Sequence, residues 1–189
     1  MFDLSDVFRE FPGRSVSVAA GETLFHLGEK VRSLYLVERG CIHLTRFDAA
    51  GGVAVMQRAT AGMALAESSI FSDVYHCDAL AVTDTGLLRI ARADLRQAAE
   101  ADTRLMETIA RHLAREVQRA RIRIEVLSKR TVRERLDAWL ALGDGRWPER
   151  GAMAAVAHDI GVSPEAFYRE LQRRRIAASR EAGSTSRAE

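Results

Sequence analysis

The sequence predicts an α+β chain in three parts: a β-roll, one long helix and a helix-turn-helix. Three observations predict it. Residues 15–90 read as short strands punctuated by glycines. Residues 102–128 carry apolar side chains at steps of four and three. Residues 156–175 place apolar helical stretches on both sides of a Gly-Val-Ser-Pro turn. The expected boundaries are 1–101 for the roll, 102–128 for the helix and 129–189 for the helix-turn-helix segment.

In the roll, Val16 and Val18 alternate with polar residues, the pattern of a half-buried strand. Gly21-Glu22 turns the chain into Thr23-Leu24-Phe25-His26, and Gly28-Glu29 is a second turn. Residues 33–38 form a strand, Arg39-Gly40 turns it, and residues 41–46 form the next. Ala50-Gly51-Gly52 reads as a hairpin tip before residues 53–57. Such spacing argues for an antiparallel barrel or roll, of the jelly-roll (double-stranded β-helix) kind.

After Ile90 the texture changes. Residues 93–100 read as a short helix, and Asp102 caps a longer one reaching about Ser128. On it Met106, Ala110, Leu113, Val117, Ala120, Ile124 and Leu127 form a heptad seam. Leu105, Ile109, Ile122 and Val126 form a second apolar stripe. One stripe would pack on the roll while the seam pairs with the same helix of a second chain. The alternative is a helix buried within one subunit. Arginines at 111, 115, 119, 121 and 123 leave little room for burial on all sides, which favours the dimer.

Ser128-Lys129-Arg130 reads as a hinge. Thr131-Val132-Arg133-Glu134 is a capping box, so a new helix begins there. Leu136, Trp139, Leu140 and Leu142 give it an apolar face, and Gly143-Asp144-Gly145 stops it before Trp147-Pro148. Next, Val156, Ala157 and Ile160 line one face of a helix that Gly161 ends. Ser163 caps the following helix and Pro164 fits its first position. Phe167 and Leu171 pack inward, while Arg169, Arg173, Arg174 and Arg175 decorate this second helix. A helix-turn-helix places such a helix in a DNA major groove. The tail from Ala177 is expected to be disordered.

Net charge is only +2, so composition does not announce nucleic acid. Its distribution says more: residues 169–187 hold six arginines against two glutamates. That suits phosphate, although a solvated helix end would read the same way. A hydrophobic content of 47% in 189 residues suffices for a core. The two cysteines, Cys41 and Cys77, form no CxxC pair, so neither a disulfide framework nor an iron–sulfur cluster is expected. The opening residues are acidic and no long apolar run follows, so a cytoplasmic protein without a membrane segment is expected.

In order, these parts resemble the cyclic-AMP receptor protein/fumarate–nitrate regulator (CRP/FNR) family. The residues that carry the resemblance are Gly21-Glu22-Thr23-Leu24-Phe25, Gly28-Glu29, Tyr35-Leu36-Val37-Glu38-Arg39-Gly40 and Asp84-Thr85-Gly86-Leu87-Leu88-Arg89-Ile90. Gly161-Val162-Ser163, Glu165 and Arg169 carry it at the other end. The resemblance implies a cyclic-nucleotide-binding-like roll, a homodimer, double-stranded DNA as partner and an effector-driven mechanism. RNA polymerase is a further partner it allows.

In cyclic-nucleotide-binding members, a Gly-Glu turn and a strand opening with Arg and Ser or Thr cradle the ligand. The tentative effector pocket here is Glu67, Ser68, Ser69, Tyr75 and His76. Glu67 matches, but Tyr75 stands where Arg would pair with the phosphate, and His76 stands where Ser or Thr would. A cyclic phosphate would lack its charge-assisted partner, and Asp78 would repel it if it faced the pocket. Cyclic AMP and cyclic GMP are therefore not the expected effector, whose identity stays open. His26, His43, His76, Cys41 and Cys77 suggest metal or haem only weakly, because their spacing is no recognised ligand set. Strand alternation would put His76 and Cys77 on opposite faces, and Tyr75 would plug the pocket.

The family's reading helix starts with Arg then Glu and carries an Arg further along. Those positions are Pro164, Glu165 and Arg169. Glu165 can accept from cytosine, and Arg169 can fork onto guanine or clamp a phosphate. Ser163, Tyr168, Gln172 and Arg173 complete the expected DNA face. The β-hairpin wing that normally follows has no counterpart in Arg173-Arg174-Arg175-Ile176. A second reading is therefore a roll whose helical end docks a partner protein. An enzyme comes third, since no nucleophile elbow, phosphate loop or HExxH is present.

Overall fold

A computed structural model of the chain describes residues 4–47, 51–142 and 153–185, with side chains as far as 176. The chain divides into two compact units, Met1–Arg115 and Glu116–Glu189.

Among the described residues, the first unit holds eight strands: β1 (Arg14–Val18), β2 (Thr23–Phe25), β3 (Ser33–Arg39), β4 (Cys41–Phe47), β5 (Val53–Thr60), β6 (Ala64–Leu65), β7 (Asp78–Ala81) and β8 (Thr85–Ala91). They form two antiparallel sheets in the orders β1-β8-β3-β6 and β2-β7-β4-β5. Consecutive strands mostly lie in different sheets, as in a jelly roll. Leu34, Leu36, Leu87 and Ile90 of one sheet meet Phe25, Ile42, Leu44, Ala79 and Ala81 of the other in one buried core. Cys41 to Phe47 pairs with Val53 to Thr60 across the hairpin, with a register shift after Leu44. Ala50 of the expected tip lies outside the described residues.

Two local devices set the turns. At both Gly-Glu pairs the glutamate carboxylate accepts the N–H three residues back: Ala19 N to Glu22 at 2.9 Å, and His26 N to Glu29 at 3.1 Å. Gly40, at φ +87, joins β3 to β4. A Cβ there would come 2.6 Å from the Asp84 carbonyl oxygen, so both dihedral and space require glycine.

One element was not anticipated, and two expectations need correction. A helix α1 (Leu4–Glu10) precedes the roll, and its Leu4 and Phe8 are buried in the roll's core. Its signal was present: Leu4, Val7, Phe8 and Phe11 are apolar at helical spacing. Next, Tyr75-His76-Cys77 is not the start of a strand, for β7 begins at Asp78. Backbone hydrogen bonds from Gly28 to the Tyr75 carbonyl and from Tyr75 to the Glu29 carbonyl hold this stretch as a loop. Lastly, the tail does not lose its structure at Ala177. The final helix continues to Thr185, since its Ala, Ser, Arg and Glu residues are compatible with helix.

Helix α2 (Arg92–Ala101) buries Leu95 and Ala99 on the roll. Helix α3 (Thr103–Leu127) follows, with the Asp102 carboxylate accepting from Arg104 N at 2.8 Å. The division of its faces is uneven. Ile109 is buried in the roll core, where Leu105 of the second stripe and Met106 and Leu113 of the seam also pack. Val126 is buried in the second unit's core. Val117, Ile122 and Ile124 are exposed, Ile124 at 68%.

The second unit holds α4 (Val132–Leu142), α5 (Met153–Asp159) and α6 (Pro164–Thr185). Thr131 and Glu134 form the capping box reciprocally, with bonds of 3.0 and 3.1 Å. Leu136, Val156, Ala157, Ile160 and Phe167 are the buried centre, with Trp139, Leu140 and Leu171 partly buried around them. Leu142 is exposed instead of joining that face. Residues 143–148, expected to stop α4, lie outside the described residues.

Candidate functional site

The expected effector pocket comes from the segment between β6 and β7. Glu67, Ser68 and Ser69 form a single 3-10 turn after Ala66, which adopts a left-handed φ of 64°. Glu67 and Ser69 are buried, and Ser68 is exposed. Ser69 Oγ lies 3.5 Å from His76 Nδ1, which ties the turn to the following loop. His76 itself is exposed. Asp78 Oδ1 accepts from Leu27 N at 3.0 Å and lies 3.3 Å from His26 Nδ1, so this carboxylate caps the neighbouring turn.

Tyr75 is fully enclosed. Its ring stacks on Phe25 with centroids 3.7 Å apart and planes 13° from parallel. Its hydroxyl donates to the Ser33 carbonyl at 2.7 Å. Burial pushes its pKa well above the usual tyrosine value, and the neighbouring Tyr35 hydroxyl adds to that shift. Tyr75 is thus a neutral, satisfied core residue. Burial likewise pushes the Cys77 thiol up to about 11, helped by Asp78, so it stays protonated near neutrality. Cys41 and Cys77 are both free thiols. Among the described residues, no three His, Cys, Asp or Glu side chains converge as a metal site would require.

Two clefts stand out on the described surface. One is about 270 Å³, lined by Arg9, Leu36, Val37, Glu38, Gly62 and Leu88. The other, about 570 Å³, lies along Glu125, Lys129, Glu134, Asp137, Ala138, Ala141 and Leu142. Neither includes any of the five residues expected to hold an effector.

At the other end, α5 closes in a Schellman-type turn: Val162 N donates to the Ala157 carbonyl at 2.9 Å and Gly161 N to that of His158 at 3.0 Å. Gly161 takes φ +65, and a Cβ on it would meet Leu127 Cδ2 at 2.6 Å. Ser163 Oγ then accepts from Ala166 N at 3.2 Å and caps α6. Ala166, Phe167, Glu170 and Leu171 face inward. Ser163, Pro164, Glu165, Tyr168, Arg169, Gln172 and Arg173 are all exposed. Hydrogen bonding with Ser163, and then with its own backbone N–H, holds the Glu165 carboxyl below its usual pKa, with a smaller contribution from Arg169.

The basic cluster is smaller than its sequence suggests. Arg174 points inward, donating to buried Glu170 at 3.1 Å and reaching Asp137 of α4 at 2.8 Å. Arg173 remains exposed, 3.9 Å from Glu170. Arg180 and Arg187 lie beyond the residues whose side chains are described. Sequence reasoning missed Glu170 as a buried anchor; its signal was the spacing of four to Arg174.

Residues 15–102 match the family model of the cyclic nucleotide-binding domain. The match is confined to the roll. The structure of FixK2 from Bradyrhizobium japonicum matches with a TM-score of 0.70 at 19% identity, over 89% of this chain and 87% of that one. The sensor domain of the transcriptional regulator DNR from Pseudomonas aeruginosa matches at 0.51 and 20% identity, over 66% and 81%. The N-terminal domain of a transcriptional regulator from Streptomyces coelicolor A3(2) matches at 0.52 and 22% identity, over 69% and 89%. No curated protein sequence matches the chain. At these identities the solved structures show a shared fold. At Tyr75, where the resemblance placed an arginine to meet a phosphate, the structure holds a stacked neutral phenol. Among the described residues, no helix is long and apolar enough to cross a membrane.

Proposed function

We propose that this protein is a DNA-binding transcriptional regulator of the CRP/FNR type, working as a homodimer on inverted half-sites. The observation that carries the reading is the outward face of α6. A capped helix follows a tight glycine turn, and all seven residues of the expected DNA face are exposed on or just before it. Arg169 and Arg173 supply cations to phosphate or guanine, and Glu165 supplies an acceptor for cytosine. The α5–turn–α6 pair is the helix-turn-helix of this reading, and the α3 seam pairs the two chains. Residues 1–101 act as the sensor. Tyr75 argues against cyclic AMP as the effector, because a neutral hydroxyl already committed to Ser33 offers a phosphate no charge. RNA polymerase is a further partner that the CRP/FNR resemblance allows.

A salt titration of gel shifts on mixed genomic fragments tests the reading. Affinity should fall steeply with salt, since each neutralised phosphate releases counterions. Absence of binding at low salt would sink it.

A second reading, a sensor whose helical end docks a protein, is favoured by one observation. Pro164 occupies the first position of α6, and the chain continues as helix to Thr185 where a wing would fold as strands. That reading expects a protein partner to be captured through α6 and no salt-sensitive gel shift.

A further inference from the structure

Arg135, half-buried in the second unit, is used by nothing proposed above. It leaves the first turns of α4, and its guanidinium reaches two separate segments. Nε donates to the Lys129 carbonyl at 2.9 Å. Nη1 donates to the carbonyls of Ile160 and Gly161, both at 3.2 Å. Lys129 belongs to the 128–131 turn between α3 and α4, whereas Ile160 and Gly161 form the turn that leads into α6. Carbonyls at a helix C-terminus carry partial negative charge, which a cation satisfies. A planar guanidinium can serve acceptors on both of its edges at once, and an ammonium cannot. Leu127, the last residue of α3, packs at the same place: a Cβ on Gly161 would come 2.6 Å from Leu127 Cδ2 and 3.4 Å from Arg135 Nη1. Arg174 adds a second clasp from α6 to α4, through Asp137 and the Arg133 carbonyl at 3.1 Å.

We propose that Arg135 is a positioning residue that couples the 128–131 hinge to the α5–α6 turn, so that the reading helix follows the hinge. A shift of the Lys129 carbonyl must carry the Ile160–Gly161 turn with it or break the shared guanidinium contacts. The proposed output, a change in how two reading helices are spaced, rests on the DNA-reading assignment above. The coupling itself does not, because every contact lies within one unit.

The test uses the full chain with Arg135→Lys, and with Arg130→Pro as an independent perturbation. A proline at 130 biases the backbone of Lys129 towards extended conformations and leaves Arg135 in place. Amide hydrogen exchange should accelerate at 128–131 and 160–163 together in Arg135→Lys, while residues 136–140 and the roll keep their wild-type rates. In Arg130→Pro the 160–163 amides should also change, although the substitution is remote in sequence. Acceleration confined to one segment, or unchanged exchange at 160–163 in Arg130→Pro, would overturn the coupling. On DNA, Arg135→Lys should bind one half-site within about twofold of wild type yet lose about tenfold in discrimination between half-site spacings. Equal weakening on single and paired half-sites, with faster exchange throughout α4, would mean a merely structural role. If the wild-type chain binds no DNA, the DNA reading fails and the exchange data still decide the coupling.

Discussion

Tyr75 is held by its ring and its hydroxyl together. Tyr75→Phe keeps the stack on Phe25 and loses the 2.7 Å bond to Ser33, so it should cost about 1 kcal/mol in denaturant unfolding. Tyr75→Ala also empties the stack and should cost roughly 3–5 kcal/mol. The ionisation of Tyr75 adds a pH signature. Its folded pKa is raised by burial, as is that of Tyr35, so the neutral phenols stabilise the fold below their unfolded pKa. That contribution is lost as pH rises above about 10. Unfolding free energy should therefore decline through the alkaline range, and less steeply in Tyr75→Phe. Near the other end of the chain, Arg169 is exposed in the second turn of α6. Arg169→Ala should cost roughly 1–3 kcal/mol of DNA binding and relax base preference if the side chain reads guanine. A uniform loss across sequences, measured with a randomised-site library, would make it a phosphate clamp instead.

The elements show which rules act within a few residues and which act across the fold. Helix α4 starts where the capping box says it should, because Thr131 and Glu134 satisfy each other's backbone N–H groups without outside help. Glu134 is held below its usual pKa by hydrogen bonds from Thr131. A lowered folded pKa stabilises above the unfolded value and is lost as pH falls through the folded one. The start of α4 should therefore fray on acidification, seen as faster exchange of its first-turn amides, and Thr131→Ala should weaken that pH response. The turn between α5 and α6 is legible for the same reason. Its glycine, serine and proline each solve a local backbone problem. Gly161→Ala meets both the positive φ and Leu127, so it should destabilise the second unit by more than about 1 kcal/mol. Helix α1 is equally local, but seven residues are too short for apolar spacing to separate it from a loop. The loop at Tyr75 could not be separated from a strand by pattern, for its alternation of buried and exposed residues is the same in either form.

At the scale of the whole molecule, the proposed dimer is tested on α3. Val117 and Ile124 of the seam are exposed at 49% and 68%, so an Ile124→Glu change should leave the single chain's unfolding curve intact. It should also convert a dimer to a monomer in sedimentation equilibrium. A wild-type chain that sediments as a monomer at working concentrations would remove the dimer from the proposed function. Met106 and Leu113 are poorer probes, because both also pack on the roll core and their loss would unfold it first.

The order of roll, long helix and helical end, with most turns and caps, could be derived from residues because periodicity and capping act over neighbouring positions. Packing alone decided the rest. It sealed Tyr75 between Phe25 and Ser33, turned Arg174 away from the exposed basic face, and placed Arg135 between carbonyls 6 and 25–26 residues away. An arginine written in a sequence does not say whether water, phosphate or a carbonyl will satisfy it. That choice depends on which acceptors the fold brings within reach, and on what water the fold excludes.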